Sequence, residues 1–269
     1  MLQVIIPAYN EVARLPRTLR ELRRHVARSA TLAGRVEVLV VDNASTDATA
    51  EVARAADSAA LPVRVVACAT PGKGAAVRTG FLAAAPDAEV IGFMDADGAT
   101  RLDALDRAMR LLDAGAEVVI GSRGLADSET EARHSRLRDH GARAYRACAA
   151  RIVPGVADTQ CGFKLLRADL ARSVAADLRA EGFAFDVELL ARARAHGARI
   201  VEVPVWWVDV PGSTFDPARH GLDSFTELAR IAWRGRRHGF APAAAPVVPL
   251  RPVVPFGAVE LPLVAGGER

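Results

Sequence analysis

Short apolar runs alternate with longer amphipathic segments along the first 121 residues, and few folds accommodate such a pattern. The apolar runs are rich in β-branched residues and predict buried strands. They are Leu2–Ile6, Val36–Val41, Val63–Ala67, Val90–Met94 and Glu117–Ile120. The segments with helical spacing are Val12–Arg28, Asp47–Ala56, Gly74–Ala84 and Leu102–Leu112. This alternation predicts an α/β, Rossmann-like fold with a mostly parallel central sheet and helices on both faces.

The second part of the chain, from about Ser122, is less regular. We expect helices at Arg133–Arg151 and Phe185–His196, a strand at Ile200–Val208 and an amphipathic helix near Ser224–Arg237. Beyond Phe240, six closely spaced prolines are incompatible with a stable helix or an interior strand. We therefore expect one domain over residues 1–239, followed by a Pro-rich flexible tail over residues 240–269.

The charge balance excludes a dedicated nucleic-acid-binding protein. Thirty-five Lys and Arg residues against 32 Asp and Glu give a net charge of only +3. The three cysteines share no CxxC spacing, which argues against a disulfide framework or a zinc cluster and suits a reducing cytoplasm. No apolar stretch approaches the roughly 18–20 residues that span a bilayer, and the N-terminus lacks the pattern of a signal peptide. We expect a cytoplasmic protein, at most peripheral at the inner face of a membrane.

Polar clusters follow three of the predicted strands, where ligands of such sheets collect. Asp95-Ala96-Asp97 follows the fourth strand, and two carboxylates one residue apart can hold a hard divalent cation. Taken alone, these aspartates are better explained as caps for the helix that begins near Arg101, whereas together with the motifs below they favour a metal site. Pro7-Ala8-Tyr9-Asn10-Glu11 and Asp42 follow the first two strands. Tyr9 offers an aromatic face for a nucleobase, or is an ordinary packed surface tyrosine.

Two loop segments admit both a binding and a structural interpretation. Gly72-Lys73-Gly74 lies just ahead of a predicted helix, so its backbone N–H groups and the lysine suit an anionic ligand. It matches neither the P-loop nor the GxGxxG pattern, and a plain glycine turn is the alternative. The segment Ser45-Thr46-Asp47 is better explained as a turn with N-cap residues than as a binding site, and Thr46 lies at the predicted start of the second helix.

Together these motifs resemble those of family 2 glycosyltransferases with the GT-A fold. The matching stretches of the first half are Val4–Glu11, Val41–Asp47, Gly72–Gly74 and Asp95–Gly98. Three later stretches resemble the polyprenyl- and dolichyl-phosphate sugar synthases, namely Gly121–Arg123, Asp158–Lys164 and Phe183–Leu190. The sequence from Asp95 to Thr100 is most similar to that of the dolichyl-phosphate glucosyltransferase branch. The resemblance extends from Leu2 to about Arg237.

The resemblance implies an inverting, metal-dependent enzyme that moves a hexose, glucose or mannose, from a UDP- or GDP-sugar to a polyprenyl or dolichyl phosphate. It implies that residues 1–121 bind the nucleotide and residues 122–239 the acceptor. The implied nucleotide-binding residues are Pro7, Ala8, Tyr9, Glu11, Asp42, Lys73, Asp95 and Ala96. Asp97 is the implied ligand of Mg²⁺ or Mn²⁺, and the implied catalytic set is Asp95, Asp97, Arg123 and Asp158.

An ionised acceptor phosphate needs arginines rather than a strong general base. The candidates are Arg123, Arg133, Arg136 and Arg138, with Arg123 and Arg136 preferred, although an Arg-rich helix is more often a solvated face. Gln160 and Asp186 are the candidates for contact with the donor sugar. Neighbouring residues also have purely structural interpretations. Asp186 and Glu188 suit the first turn of a helix, and Lys164 suits an ordinary surface position.

Three alternatives compete with the lipid-phosphate enzyme. A GT-A glycosyltransferase with a small-molecule acceptor fits the lack of membrane helices and the lack of a lysine in Gly212-Ser213-Thr214, where relatives carry a Ser-Lys pair. A sugar-nucleotide pyrophosphorylase would need a Gly-rich, basic first loop, which Pro7–Glu11 is not. A binding module without activity is disfavoured by the intact Asp95 and Asp97. Arginines on the segment Leu222–Arg237 also suit an anionic membrane surface, although packing of its apolar stripe on the core is the commoner arrangement. The sequence predicts no oligomeric state.

Overall fold

A computed structural model describes residues 1–131, 136–208, 210 and 217–238. Its strands are β1 (Leu2–Ala8), β2 (Val36–Asp42), β3 (Val63–Ala67), β4 (Val90–Met94), β5 (Val118–Ser122), β6 (Glu129–Glu131), β7 (Phe163–Arg167), β8 (Ile200–Pro204) and β9 (Trp206–Val208). Its helices are α1 (Leu15–Arg28), α2 (Thr49–Arg54), α3 (Lys73–Leu82), α4 (Asp103–Asp113), α5 (Arg136–Ile152), α6 (Ala168–Asp177), α7 (Phe185–Ala195) and α8 (Pro217–His238). The expected tail over residues 240–269 lies outside the described residues.

Seven of these strands form one sheet in the order β3-β2-β1-β4-β7-β5-β8. Neighbouring strands are parallel except β7, which runs antiparallel to both β4 and β5. Strands from both parts of the chain therefore share one sheet. A second, two-stranded parallel sheet pairs β6 with β9. The predicted α/β architecture with a mostly parallel sheet is confirmed.

Each face of the large sheet buries its own apolar core. Val4, Ile6 and Ala8 point into one core, and Ile5 points into the other. The first core lies under α1 and α4, and the second under α3, α6 and α7. Because both faces are covered, the strands read as continuous apolar runs rather than as alternating ones. This explains why the sequence pattern located them.

Helix α1 illustrates how the sequence selects an element. Leu15, Leu19, Leu22 and Val26 recur at helical spacing and are all buried against the sheet. Each contributes roughly 1.5–3 kcal/mol through the burial of its side chain. A proline in the first turn suits the helix start, because the first helical N–H groups have no partner within the helix. The helix begins three residues later than the sequence pattern indicates.

The second part of the chain departs most from the sequence-based expectation. Strand β7 and helix α6 were not predicted, because β7 is short and carries Lys164 and Arg167 among its apolar residues. The single strand expected at Ile200–Val208 is two strands, β8 and β9, interrupted at Val205 and placed in different sheets. Helices were expected near α5, α7 and α8, and each is present.

One edge of the large sheet gathers the functional candidates. β1, β2, β4 and β5 run in the same direction, so the residues that follow them meet at this edge. Because β7 runs the other way, the residues that precede it, including Gly162, arrive at the same edge. No helix within the described ranges is long and apolar enough to cross a membrane.

Candidate functional site

Asp95 lies at the centre of the strand-end edge. Its carboxylate Oδ1 is 2.5 Å from Nζ of Lys73 at the start of α3. Its backbone N–H donates to the carbonyl of Gly162 at 3.1 Å. A Cβ atom on Gly162 would stand 1.9 Å from Asp95 Oδ2, so only glycine leaves room for this carboxylate. The motif after β4, the glycine loop before α3 and the segment before β7 therefore converge on one carboxylate.

Lys73 is the cation of this group. Burial alone would lower the pKa of its ammonium group, but the carboxylates of Asp95 and Asp186 raise it above the ordinary value. Lys73 therefore stays protonated. The start of α3 offers fewer backbone N–H groups to an anionic ligand than expected, because those of Gly74 and Ala75 both donate to the carbonyl of Glu181. The expectation of free amides at this helix start was wrong for these two groups, and the lysine carries the positive charge.

Asp97 and Glu11 are the acidic side of the same group. Burial, followed by the charge of Asp95, raises the pKa of Asp97 above its ordinary value. Burial likewise raises the pKa of Glu11, although its side chain is bonded to Arg14. Arg14 donates from Nε to Glu11 Oε2 at 2.7 Å, and a second nitrogen of the same guanidinium contacts Oε1. Carboxylates thus outnumber their nearby cations here.

The loops after β1 and β2 are tied to each other. The N–H of Asn10 donates to Ser45 Oγ at 3.0 Å, and the N–H of Thr46 donates to Asn10 Oδ1 at 2.8 Å. Tyr9 is 47% exposed beside them. Thr46 does not cap α2, because the N-cap residue is Ala48 and no side chain bonds to the helix start as a cap. Asp47 accepts from the Thr49 N–H at 3.0 Å, in agreement with the turn role expected of it.

The remaining nucleotide-binding candidates lie along the same edge. Pro7 and Ala8 end β1, and Ala8 pairs in register with Asp42 at the end of β2. The Asp42 carboxylate accepts from the Ser45 N–H at 3.2 Å. Ala96 is buried between Asp95 and Asp97, and its carbonyl accepts from the Thr18 hydroxyl at 2.7 Å. The structure therefore brings these candidates to one edge of the sheet.

Arg123 and Asp158 form a closed pair at the end of β5. Arg123 Nε lies 2.6 Å from Asp158 Oδ2, and Nη2 lies 3.0 Å from Oδ1. Burial alone would raise the pKa of Asp158, but the guanidinium lowers it below the ordinary value. The N–H of Gln160 donates to the same carboxylate at 3.1 Å. The guanidinium also lies 5.4 Å from the ring centroid of Trp207, which leaves only part of Arg123 open to a ligand.

Asp186 is paired below the open part of the site. Its Oδ1 is 2.6 Å from Nζ of Lys164, and both side chains are buried. Lys164 is fully buried, so the interpretation of it as a surface residue was wrong. Glu188, two residues further along α7, accepts from two backbone N–H groups and from Arg192, in agreement with its structural interpretation.

The other acceptor candidates lie at or beyond the limit of the description. Arg133 lies outside the described residues, as does the Gly212-Ser213-Thr214 segment. Arg136 and Arg138 belong to the first turn of α5, but their side chains are outside the described part of the structure. Their contact with an acceptor phosphate stays a prediction.

The carboxylate oxygens of Asp97 suit a hard divalent cation whose remaining ligands come from a bound phosphate and from water. Asp97 Oδ1 accepts from the Ala99 N–H at 2.9 Å, and within the described residues no Lys or Arg lies at ion-pair distance from it. No group of three or more His, Cys, Asp or Glu residues in the same part of the chain would hold a metal by itself. Mg²⁺ commonly binds through one or two carboxylates, with phosphate and water oxygens completing the shell.

Two residues of this site escaped the sequence analysis. Arg14 holds Glu11, and its position three residues after Glu11 is an ordinary helix spacing that gives no functional signal. Glu202 in β8 accepts from the N–H groups of Ala157 and Asp158, and so orients the Asp158 carboxylate. A charged residue inside the apolar run Ile200–Val203 was the available signal, because a buried carboxylate requires partners.

Comparison with known proteins identifies the family. The glycosyl transferase family 2 model matches residues 3–174. The dolichyl-phosphate beta-glucosyltransferase of Drosophila melanogaster is 37% identical over 256 residues, covering 87% of this chain and 77% of the relative. The proteins of the same name from Dictyostelium discoideum and Homo sapiens are 32% and 33% identical and cover the same share of this chain. These relatives confirm the resemblance to that branch.

Solved structures show the same fold. Glucosyl-3-phosphoglycerate synthase from Mycobacterium tuberculosis, in complex with Mn²⁺, UDP-glucose and phosphoglyceric acid, superposes with a TM-score of 0.65 at 19% identity. The match covers 87% of this chain and 80% of that one. The complex of that enzyme with Mg²⁺ and UDP gives a TM-score of 0.61. With its motifs, sheet order and relatives in agreement, the chain belongs to glycosyl transferase family 2 and is a glycosyltransferase.

Proposed function

We propose that this glycosyltransferase moves glucose from UDP-glucose to a polyprenyl or dolichyl phosphate, with inversion at the anomeric carbon and with Mg²⁺ or Mn²⁺ at Asp97. The observation that carries the proposal is the excess of carboxylates beside the Lys73–Asp95 pair, which calls for a cation and a phosphorylated ligand. The names of the relatives supply the sugar and the class of acceptor. The domain of residues 1–239 would hold the donor in its first half and the acceptor in its second.

The donor would lie along the edge formed by β1, β2 and β4. Exposed Tyr9 offers a face for the base, and Asp42 a hydrogen-bond acceptor for the nucleoside. Lys73 lies where a diphosphate would approach Asp95, and its positive charge would offset the charge of the phosphates. A divalent ion bound at Asp97 would stabilise the negative charge of the leaving UDP.

The acceptor needs orientation more than activation. A phosphate monoester is largely ionised near neutral pH, so one of its oxygens can attack the anomeric carbon without a strong base. As that bond forms, the bond from the anomeric carbon to the UDP oxygen breaks, and UDP leaves with the electron pair. Arg123, held from below by Asp158, would fix the acceptor phosphate with its partly open guanidinium. Gln160 follows Asp158 and is the candidate for contact with the sugar.

A small phosphorylated acceptor is the second candidate. The superposed synthase is named for phosphoglyceric acid, a soluble phosphate monoester, and the described part of this chain contains no helix that would cross a membrane. Radiolabelled UDP-glucose should be offered with polyprenyl phosphate, with 3-phosphoglycerate and with water-soluble alcohols. We expect label in the lipid fraction. Label only in a soluble product would contradict the lipid acceptor and favour the second candidate.

The donor and the metal are tested together by calorimetry. We expect UDP to bind more tightly than GDP, and only in the presence of Mg²⁺ or Mn²⁺, because the carboxylates at Asp95 and Asp97 would otherwise repel the diphosphate. Equal binding with and without divalent ion would contradict the metal role. Tighter binding of GDP would move the donor to the GDP-sugars.

Helix α8 is our candidate for contact with a membrane surface. Leu222 and Trp233 lie three turns apart on its outer side and are 74% and 55% exposed. Leu228 and Ile231 on its inner side are buried. Arg237 stacks 4.5 Å from the Trp233 ring centroid, next to Arg234 and Arg236. An exposed Trp and Leu among arginines suit the surface of an anionic bilayer.

Flotation with lipid vesicles tests this surface. We expect the full chain to bind vesicles that contain an anionic phospholipid more strongly than neutral vesicles. Leu222→Asp should weaken that binding severalfold, because it places a charge against the lipid. Leu82→Asp is the matched control, since Leu82 is likewise an exposed leucine on a helix, at 50%, but lies on α3. Equal effects of the two variants would contradict a membrane role for α8.

A further inference from the structure

The chain contains only two lysines among its 35 basic residues, and both lie in one charge cluster. Lys73 pairs with Asp95 at the open part of the site, and Lys164 pairs with Asp186 beneath it. An ammonium group is a compact charge with three donors, whereas a guanidinium is a broad planar fork. In a chain that otherwise uses arginine, both lysines lie in this cluster, and the compact ammonium group of Lys164 fits its fully buried position.

Lys164 is fully enclosed. Its ammonium donates to Asp186 Oδ1 at 2.6 Å and to the Cys161 carbonyl at 2.7 Å, and it lies 5.3 Å from the Phe93 ring centroid. Its side chain is 0% exposed, and that of Asp186 is 4% exposed. A buried ion pair is weak evidence for stability, because removing two charges from water offsets much of their attraction. The pair therefore calls for a role other than holding the fold together.

The backbone links this pair to Asp95. In the antiparallel register, Lys164 lies opposite Phe93, two residues before Asp95. The Cys161 carbonyl that Lys164 holds is followed by Gly162, whose carbonyl accepts from the Asp95 N–H. Because Gly162 has no side chain, its backbone lies directly against the Asp95 carboxylate. A shift of Lys164 would therefore reach Asp95.

The charges link the two pairs as well. Lys73 is attracted by both Asp95 and Asp186, and Asp186 is attracted by both Lys164 and Lys73. Asp186 is thus a second anion that competes with Asp95 for Lys73. With Lys164 in place, the charge of Asp186 is already balanced, and Lys73 remains 2.5 Å from Asp95.

We propose that Lys164 and Asp186 are positioning residues for the nucleotide: Lys164 neutralises Asp186, so that Lys73 stays beside Asp95, where the diphosphate binds. This inference rests on the proposed function. It gives Asp186 a role in setting the charge of the site from below, rather than in touching the donor sugar. Neither residue contacts the nucleotide in this arrangement.

Calorimetric titration of UDP in saturating Mn²⁺ tests the proposal. Removal of the Lys164 charge and removal of the Asp186 charge should change UDP affinity in opposite directions. Lys164→Met leaves the Asp186 charge unbalanced, so Lys73 is drawn toward it and UDP affinity falls about tenfold. Asp186→Asn removes the competing anion and keeps the positive charge of Lys164, so UDP affinity rises about threefold. The double variant, with no charge at either position, returns to within about threefold of the wild type.

A purely structural pair behaves differently. In that case both single variants lose UDP affinity in parallel with their thermal stability, and the double variant does not recover it; this result overturns the proposal. Should Lys164→Met not fold, Asp186→Asn decides alone, since a UDP affinity equal to or below the wild type also overturns it. A wild-type protein that binds no UDP with Mn²⁺ refutes the proposed function instead.

Asp106→Asn is the matched control. Asp106 lies on α4, is partly buried and pairs with His25 on α1 at 2.5 Å. Its second carboxylate oxygen accepts from the Ser29 hydroxyl, so within the described residues this carboxylate joins α1 to α4 and does not contact the segment next to Asp95. We expect this variant to lower the melting temperature and to leave UDP affinity within about twofold of the wild type. A loss of UDP affinity as large as that of Lys164→Met would overturn the specific role of the Lys164–Asp186 pair.

Discussion

Two charged groups lie at the same edge of the sheet, and they are built in opposite ways. Around Asp97 and Glu11 the fold raises the pKa of both carboxyl groups, because burial is not fully compensated by Lys73 and Arg14. At Asp158 the fold lowers the pKa, because Arg123 meets the carboxylate with two parallel hydrogen bonds. The carboxylates of Asp97 and Glu11 therefore lack full compensation by positive charge, whereas the carboxylate of Asp158 is fully paired with Arg123.

The difference indicates which carboxylates await a ligand. A carboxylate that is buried without a counter-charge costs free energy, and a bound cation would recover it. A carboxylate already bonded to a guanidinium has little to gain from a ligand and instead fixes the guanidinium in place. We therefore propose that ligand binding falls to the Asp97 group, and in the second group to Arg123 rather than to Asp158.

The largest expected effect is at Asp97. Asp97→Asn removes the candidate metal ligand, and we expect kcat/KM to fall by about 10²–10³-fold, the cost of losing one strong electrostatic contact to the leaving group. Asp103→Asn is the control, since Asp103 is a half-exposed aspartate in the first turn of α4 whose ion pairs with Arg101 and Arg107 are long, at 3.6 and 3.5 Å. Initial rates measured against Mn²⁺ concentration test this, and equal rates for both variants would refute the metal role.

Asp158→Asn should act first on stability. It leaves the Arg123 guanidinium without its partner, and we expect the free energy of unfolding to fall by about 2 kcal/mol, the usual loss for a charged hydrogen bond. Urea unfolding measures it. Glu21→Gln, which breaks the exposed Arg17–Glu21 pair, is the control and should change little. If the two variants lose the same stability, Arg123–Asp158 is not the satisfied pair that the geometry indicates.

Gly162→Ala tests the close approach of backbone to Asp95. The added Cβ would overlap the carboxylate, so Asp95 must move away from Lys73, and we expect UDP affinity to fall about tenfold, or roughly 1.4 kcal/mol. Gly141→Ala in α5 is the control, because a Cβ there meets no atom of the described residues within 4 Å. Calorimetry on both variants measures the difference, and unchanged UDP binding in Gly162→Ala would show that Asp95 does not need its present position.

The smallest expected effect is a pH dependence with opposite sign in the two groups. Folding raises the pKa of Asp97 above 3.8, so the cost of ionising it is present at high pH and disappears at low pH. Without metal, Asp97→Asn should therefore stabilise the protein at about pH 8 and lose this gain toward about pH 4. Folding lowers the pKa of Asp158, so the loss in Asp158→Asn is full above 3.8 and fades as pH falls through the folded-state value.

Thermal unfolding in a chelator, from neutral to acid pH, measures both variants against the wild type. Parallel pH profiles for Asp97→Asn and Asp158→Asn would mean that the two carboxyl groups do not differ as described. Addition of Mn²⁺ and UDP should remove the gain in Asp97→Asn, because the bound cation then compensates the wild-type carboxylate.

The first half of the fold was predictable because its signals are local. Leu15, Leu19, Leu22 and Val26 mark the buried side of α1 by their spacing alone. The buried strands read as apolar runs, and the polar residues that follow them mark the edge where ligands collect. The candidates Asp42, Asp95 and Asp97 were found in this way.

The second half was less predictable because its signals depend on distant contacts. Lys164 resembles a surface lysine until Asp186, 22 residues away, is placed against it. Strand β7 depends on pairing with β4 and β5, which a short run with two basic residues does not reveal. The amides at the start of α3 looked free until Glu181, more than 100 residues later, was found to accept from them.

By itself, the sequence determined the order of strands and helices in the first half of the chain, the edge that carries the candidate site and the family, because hydrophobic periodicity and motif spacing are properties of neighbouring residues. The tertiary structure alone decided which charges meet. Lys73 with Asp95, Arg123 with Asp158 and Lys164 with Asp186 are each separated by more than 20 residues. Electrostatic interaction depends on distance and burial in space, and neither can be read along the chain.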